Sequence, residues 1–249
     1  MVDHSLMKLG KRSAKKDMRT LIFNKYTKTL VPAPASYELS NRITNLGSMG
    51  NDDVGDCTCA AIGHIVQAWT AELGKQIIPP DAAVIQLYTK FGYVPGDEST
   101  DQGAAELDVL NYIRKNGAFG IEFQSYSSIA PDTRQEIMDS VYYFGSAYIG
   151  LALPKTAQTQ DVWDKPSMFS FGRGKPGSWG GHAVPIVDYN KTGPICITWG
   201  AFKQMTWAFM KEYCDEAYAL LSPAQFAGGK SVEGFDLASL QTDLQAISS

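Results

Sequence analysis

The chain has 249 residues, 44% of them apolar and 19% charged. That is enough to bury a substantial core without disulfide or metal staples, and a mean hydropathy of −0.17 describes an ordinary soluble protein and excludes a disordered one. No run approaches the ~20 apolar residues of a membrane span, so no membrane role is expected.

The formal net charge of −4 is unevenly spread. Residues 1–19 carry Lys8, Lys11, Arg12, Lys15, Lys16 and Arg19 against Asp3 and Asp17, a local +4 that leaves about −8 on the remainder. The segment has charge but no apolar stretch of the kind a secretory leader needs. This argues for a cytoplasmic, reducing location, with Cys57, Cys59, Cys196 and Cys214 as free thiols. A basic arm on an acidic body has three partners by charge: nucleic acid, an acidic protein, or its own body. The plainest reading is a solvated arm that carries His4 as a mobile residue.

In chain order, residues 1–40 read as an extended lead-in, because Val31-Pro32-Ala33-Pro34 disfavours helix. Residues 46–56 form a glycine- and aspartate-rich loop ending at Asp56, the expected N-cap of a helix. Apolar residues from Cys57 to Leu73 predict a mostly buried helix. Further helices are predicted over about 81–91, 104–115 (closed by Asn116-Gly117) and 132–143. The pattern then changes. Ala147–Leu153 reads as a strand, 154–181 as a long Gly-, Pro- and Trp-rich loop, and Ala183–Val187 and Ile195–Thr198 as strands joined by a turn at Asn190–Gly193. Tyr218–Leu221 is a further strand, and Phe235, Leu237, Leu240, Leu244 and Ile247 predict an amphipathic tail helix. Helices first and strands later give an α+β fold with a cleft between a helical half and a sheet half. The expected organisation is a lead-in over 1–40, a core domain over 41–222 and a tail over 223–249.

Two segments carry the chemistry. A cysteine in the first turn of a buried helix sits at the positive end of the helix dipole, which favours the nucleophilic thiolate. Cys57 holds that place in Asn51-Asp52-Asp53-Val54-Gly55-Asp56-Cys57. Asn51, six residues upstream, and the Cys57 N–H are candidate oxyanion donors. The second segment is Ser178-Trp179-Gly180-Gly181-His182-Ala183-Val184, where His182 at a strand mouth is suited to act as the base.

The order amide, cysteine at a helix start, late Gly-His-Ala-Val strand and then Trp-Gly resembles the papain-like cysteine peptidases over roughly residues 46–200. The spacing is also similar to that of small papain-like proteins of bacteria and phages. The resemblance implies a papain-like α+β fold, Cys57 as nucleophile, His182 as base and Asn51 in place of the family's oxyanion glutamine. It further implies Gln102 and Gly103, in Asp101-Gln102-Gly103-Ala104, together with Gly181 and Trp199 as substrate-binding residues. The family's histidine-orienting asparagine is missing, since aligning the Trp-Gly pairs puts Ile197 there. Thr198, on the returning strand, is the preferred substitute. Asp188 is six residues along an extended strand from His182, ~20 Å away at ~3.3 Å per residue.

Other candidates have plainer readings. Cys59 lies deeper in the helix and reads as core, and His64, two turns on, reads as a core histidine. Gly228-Gly229-Lys230-Ser231 lacks the first glycine of a phosphate loop, because Ala224 stands there. Cys57-Thr58-Cys59 is too tight for a zinc knuckle and no second pair follows, so no metal or cofactor is implied.

Two functions fit. The first is a thiol hydrolase acting on a peptide or protein. The second is a catalytically degenerate papain-like fold serving as a binding or virion component, assembling with itself or a partner through its termini. The arm has a third use, as an autoinhibitory lead-in over the cleft.

Overall fold

A computed structural model describes residues 3–167, 170, 172–223 and 234–248. The elements are β1 (Leu21–Ile22), α1 (Cys57–Glu72), α2 (Asp81–Tyr88), α3 (Glu106–Asn116), β2 (Ser125–Ser128), α4 (Arg134–Phe144) and β3 (Ala147–Leu153). They continue with β4 (Gly180–Tyr189), β5 (Pro194–Thr198), β6 (Ala201–Gln204), α5 (Trp207–Tyr213), β7 (Cys214–Leu221) and α6 (Leu237–Ser248). The strands form one sheet in the order β1-β2-β7-β3-β4-β5-β6. It is antiparallel except where β1 runs parallel to β2. The fold is α+β, as expected. Among the described residues no helix is long and apolar enough to cross a membrane.

The two-residue period of the strands separates two cores. On β3, Ala147, Ile149, Leu151 and Leu153 face a core shared with Val141 and Phe144 of α4 and Phe209 of α5. Tyr148 faces the other side, with Ala183 of β4, Tyr218 of β7 and the apolar residues of α1. The sheet is therefore covered on both faces. Between Cys57 and Ala71 every residue of α1 is buried. Its Ala60, Ala61, Gly63 and Ala68 keep side-chain volume small enough for close packing. Tyr148 donates to the Thr58 carbonyl at 3.0 Å, which pins the first turn of α1 to the sheet.

The expected elements are found with shifted ends. The third helix starts two residues late, at Glu106, because Ala105 is extended and Ala104 is engaged with the N-terminal segment. The second helix gives way to a 3₁₀ turn over Thr89–Phe91. The Asn190 side chain accepts from the Thr192 and Gly193 N–H groups, which closes the predicted turn. Four elements were not expected: β1 within the lead-in, β2, whose buried face is Ser125 and Ser127 rather than apolar residues, β6, and the seven-residue α5. Thr206 caps α5 by accepting from the Phe209 N–H at 3.0 Å.

Two expectations are overturned. Asp56 takes the N-cap position of α1, but its side chain accepts no capping hydrogen bond. It is fully buried, and burial holds its carboxyl well above the usual carboxylate range. The arm is also not solvated as a whole. Lys11 is buried, with 7% of its surface exposed, and His4 is docked by stacking on Trp199 at 5.3 Å. In the tail, Phe235 and Leu240 enter the main core, against Tyr26 and Phe144 among others. Gly228–Ser231 lie outside the described residues.

Candidate functional site

Cys57 opens α1 and is 1% exposed; His182 lies on β4, 1% exposed, and Thr198 ends β5, 5% exposed. The hairpin between β4 and β5 brings the last two together. Thr198 Oγ1 is 2.7 Å from His182 Nε2. His182 Nδ1 is buried with no protein partner. The ring is thus held at one nitrogen and left free at the other. Asp188 is committed elsewhere, accepting from the Leu39 and Ser40 N–H groups.

The next hairpin holds the imidazole from its face. Thr198 pairs with Ala201 across Trp199-Gly200, and both turn residues have positive φ, 46° and 76°. A two-residue turn between strands requires this. For tryptophan it is a strained conformation. It lays the indole on His182, with centroids 4.5 Å apart and planes 19° from parallel.

Behind Cys57 the loop is locked by a relay that the sequence alone does not suggest. Asp101 accepts from the Gly55 N–H at 2.9 Å and from the Tyr88 hydroxyl at 2.7 Å. That hydroxyl in turn accepts from the Gly103 N–H at 2.7 Å. Tyr88 was missed because it reads as an ordinary apolar position of α2. Asn51 is buried and donates to the Val54 carbonyl at 3.2 Å, so its amide is engaged within its own loop. Cys59 is core, and all four cysteines are free. His64 is core as well, its Nδ1 3.1 Å from Gln67 Oε1.

The cleft is filled by the chain's own N-terminal segment. Ala104 N–H donates to the Gly10 carbonyl at 2.8 Å, Arg12 N–H to the Ala104 carbonyl at 2.9 Å, and Lys11 N–H to the Gly181 carbonyl at 3.1 Å. Trp199 Nε1 donates to the Lys8 carbonyl at 3.2 Å, and the Arg12 guanidinium donates to the Gln102 carbonyl. The substrate-binding candidates Gln102, Gly103, Gly181 and Trp199 therefore all touch the arm or abut it. The approach is bare glycine against arm backbone. A Cβ at Gly103 would sit 2.0 Å from the Gly10 carbonyl oxygen, and one at Gly181 would sit 2.2 Å from the Lys11 carbonyl oxygen.

This enclosure sets the protonation states. Burial pushes the Cys57 thiol up to about 12, although the Ala183 N–H, 3.4 Å from the sulfur, pulls the other way. Burial alone pushes the His182 imidazole down to about 3. With the arm in place the pair is thiol and neutral imidazole at neutral pH.

The comparisons with solved structures match this architecture. Xylellain, a cysteine protease from Xylella fastidiosa, superposes with a TM-score of 0.66 at 13% identity, over 88% of this chain and 98% of its own. The fold is papain-like. The Carica candamarcensis cysteine protease CMS1MS2, solved in complex with E-64, gives a TM-score of 0.51 at 13% identity over 75% of this chain and 98% of its own. The digestive procathepsin L 3 of Tenebrio molitor larval midgut gives 0.54 at 11% identity over 88% and 75%. At these identities the likeness is one of fold. No protein-family model matches the chain, and no curated protein matches its sequence.

Proposed function

We propose that the chain is a latent papain-like cysteine peptidase in which Cys57 is the nucleophile, His182 the general base and Thr198 the residue that orients the imidazole. The observation that carries this reading is the two-sided hold on His182. The Thr198 hydroxyl occupies Nε2 at 2.7 Å and leaves Nδ1 without a partner. A base held at one nitrogen and free at the other is the arrangement nucleophile activation requires. Attack by Cys57 Sγ on a peptide carbonyl would place the oxyanion near the Cys57 N–H at the start of α1, where the helix dipole favours negative charge. Asn51 joins as a second donor once its amide turns from the Val54 carbonyl.

A second reading has its own support. Cys57 and His182 are each 1% exposed and both are held neutral, as suits a degenerate site kept for binding or assembly.

An E-64-type epoxide separates the two. Freed of its arm by Gly10→Ala, the chain is expected to be labelled at Cys57 and to hydrolyse peptides, and Cys57→Ser and His182→Ala in the same background should do neither. Absence of Cys57 labelling in a folded Gly10→Ala protein would favour the scaffold reading.

A further inference from the structure

The side chain of Lys11 leaves the cleft and enters a pocket between α3, β3 and β7. It is 1% exposed and sits 2.9 Å from both Asp215 Oδ1 and Glu216 Oε1. Glu216 is fixed from behind by the Tyr218 hydroxyl at 2.9 Å. Glu106 completes the pocket. It has no exposed surface, and neither of its carboxyl oxygens has a hydrogen-bond partner. Gly150 makes the room: a Cβ there would lie 2.0 Å from Lys11 Cε and 2.8 Å from Glu106 Oε1. The space thus fits an unbranched methylene stem with a cation at its end.

Three carboxyl groups face one ammonium. Burial alone would lower the Lys11 pKa, but Glu106, Glu216 and Asp215 outweigh it and hold the ammonium charged. Burial and the neighbouring Glu216 push the Glu106 carboxyl well above its usual range. Buried carboxylates stripped of their cation are strongly destabilising. When the arm leaves, these carboxylates stay ionised only if another cation takes its place; otherwise they neutralise by taking up protons.

Its position relates it to the cysteine. Gly10 packs on the Gly55 carbonyl two residues before Cys57, and its neighbour Lys11 donates its N–H to the carbonyl of Gly181, which precedes His182. A peptide presenting its main chain to Cys57 along this track passes the same mouth. We propose that the Glu106–Asp215–Glu216 pocket selects a lysine side chain of an incoming peptide, beside the residue that meets Cys57, and that Lys11 is a tethered stand-in for it. The proposal rests on the peptidase reading for its catalytic consequence but not for the binding itself.

The test uses full-length Lys11→Ala protein. Dipeptidyl acyloxymethyl ketones carry glycine next to the reactive carbon and lysine, norleucine or glutamate on its N-terminal side, so they offer the side chain from a main chain running opposite to the arm, in which Lys11 follows Gly10. Labelling of Cys57 is followed by mass spectrometry. The lysine probe should react at least about tenfold faster than the norleucine isostere, the effect of one charge-assisted contact. Adding Glu216→Gln should erase the preference. Norleucine reacting as fast as lysine overturns the proposal and leaves the pocket a mere anchor for the arm.

If no probe labels Cys57, a second measurement decides. Propylammonium, the part of lysine beyond Cβ, is compared with n-propanol for raising the Tm of the Lys11→Ala protein, with Lys11→Met as the folding control. A rise with the amine alone keeps the pocket as a lysine-binding site and sinks only the peptidase reading. No rise overturns the pocket as well.

Discussion

Gly10→Ala is the sharpest test of the proposed latency. The added Cβ would lie 1.7 Å from the Gly55 carbonyl oxygen, a separation no non-bonded carbon and oxygen adopt. The Cβ is fixed on the backbone and the oxygen belongs to it, so no side-chain rotation relieves the clash and the arm must lift off the loop. The core is untouched, because Gly10 packs against the cleft and no core side chain is changed. Lifting the arm rehydrates Cys57, whose thiol burial now holds at about 12. Return to an ordinary thiol value near 8.5 raises the thiolate fraction at neutral pH about three-thousandfold. A less basic thiolate is a weaker nucleophile, with a Brønsted slope of about 0.4–0.5, so the net gain in alkylation rate is about 60- to 130-fold. Relief of steric blockage adds to this.

The assay is iodoacetamide alkylation of the full chain from pH 6 to 10, with each cysteine quantified by peptide mass spectrometry. Cys59 and Cys196 are buried in the core and serve as internal references. The wild type should react slowly at Cys57 at every pH below about 10. The variant should react faster at Cys57 alone, and if the Cys57–His182 ion pair forms, its profile should extend below pH 8 and retreat in Gly10→Ala/His182→Ala. A folded variant with wild-type Cys57 reactivity would show that the arm is not what silences the thiol.

Three further outcomes follow from the same geometry. Thr198→Val should strip His182 Nε2 of its partner, leaving a buried polar atom unsatisfied at a cost of about 1–3 kcal/mol. Thermal melts should record this as a loss of about 2–4 °C per kcal/mol, and Thr198→Ser should restore both stability and Cys57 labelling in the arm-released background. Trp199→Ala removes the ring stacked on His182, worth about 0.5–1.5 kcal/mol, and admits water. The imidazole value should rise from about 3 toward about 6.5, a titration that proton NMR follows directly; an unmoved His182 would contradict the desolvation argument. His64 is held down to about 4 by burial, against some support from Gln67. Its contribution is complete above its unfolded value of about 6.5 and is lost as pH falls toward 4, which amounts to about 2 kcal/mol by pH 5. Urea unfolding should therefore show the wild type losing that much relative to His64→Leu between pH 7 and 5; parallel pH profiles would mean that His64 is not kept neutral.

Much of this was legible in the sequence where local pattern and tertiary environment agree. The β3 strand Ala147–Leu153 has the bounds the apolar run predicts, and α1 begins at Cys57. Thr198 was reachable because a turn at Asn190–Gly193 must fold β5 back past β4, whereas Asp188 is carried away along a single strand. The sequence was silent where stabilisation comes from partners far along the chain. The serines of β2 carry no apolar signal, yet Ser125 and Ser127 are buried because β7 pairs with them. Asp56 looked like a helix cap because aspartate before an apolar run usually is one; its burial depends on neighbours that no local window contains. Lys11 looked like one more cation on a solvated arm. Its carboxylate partners lie 95 to 205 residues away in the chain, a distance over which charge patterning carries no information.

The glycines of the cleft bring these observations together. In the sequence, Gly55, Gly103 and Gly181 mark places where a backbone can approach closely. In the fold, each would drive a Cβ to within 3 Å of arm main-chain oxygen: Leu9 for Gly55, Gly10 for Gly103 and Lys11 for Gly181. A groove meant only to seat side chains does not need its walls bare at three points spaced along a single extended segment. These walls are shaped to an extended main chain, with hydrogen bonds from Ala104 and to Gly181 at the height of Lys11. Along the same track Gly150 leaves room for the Lys11 stem, as Gly180 does for the Leu9 side chain. The cleft thus makes two separate demands of whatever occupies it, a strand-like backbone past Cys57 and a linear cation beside it. The arm meets both, and any peptide that displaces it must meet them at least as well.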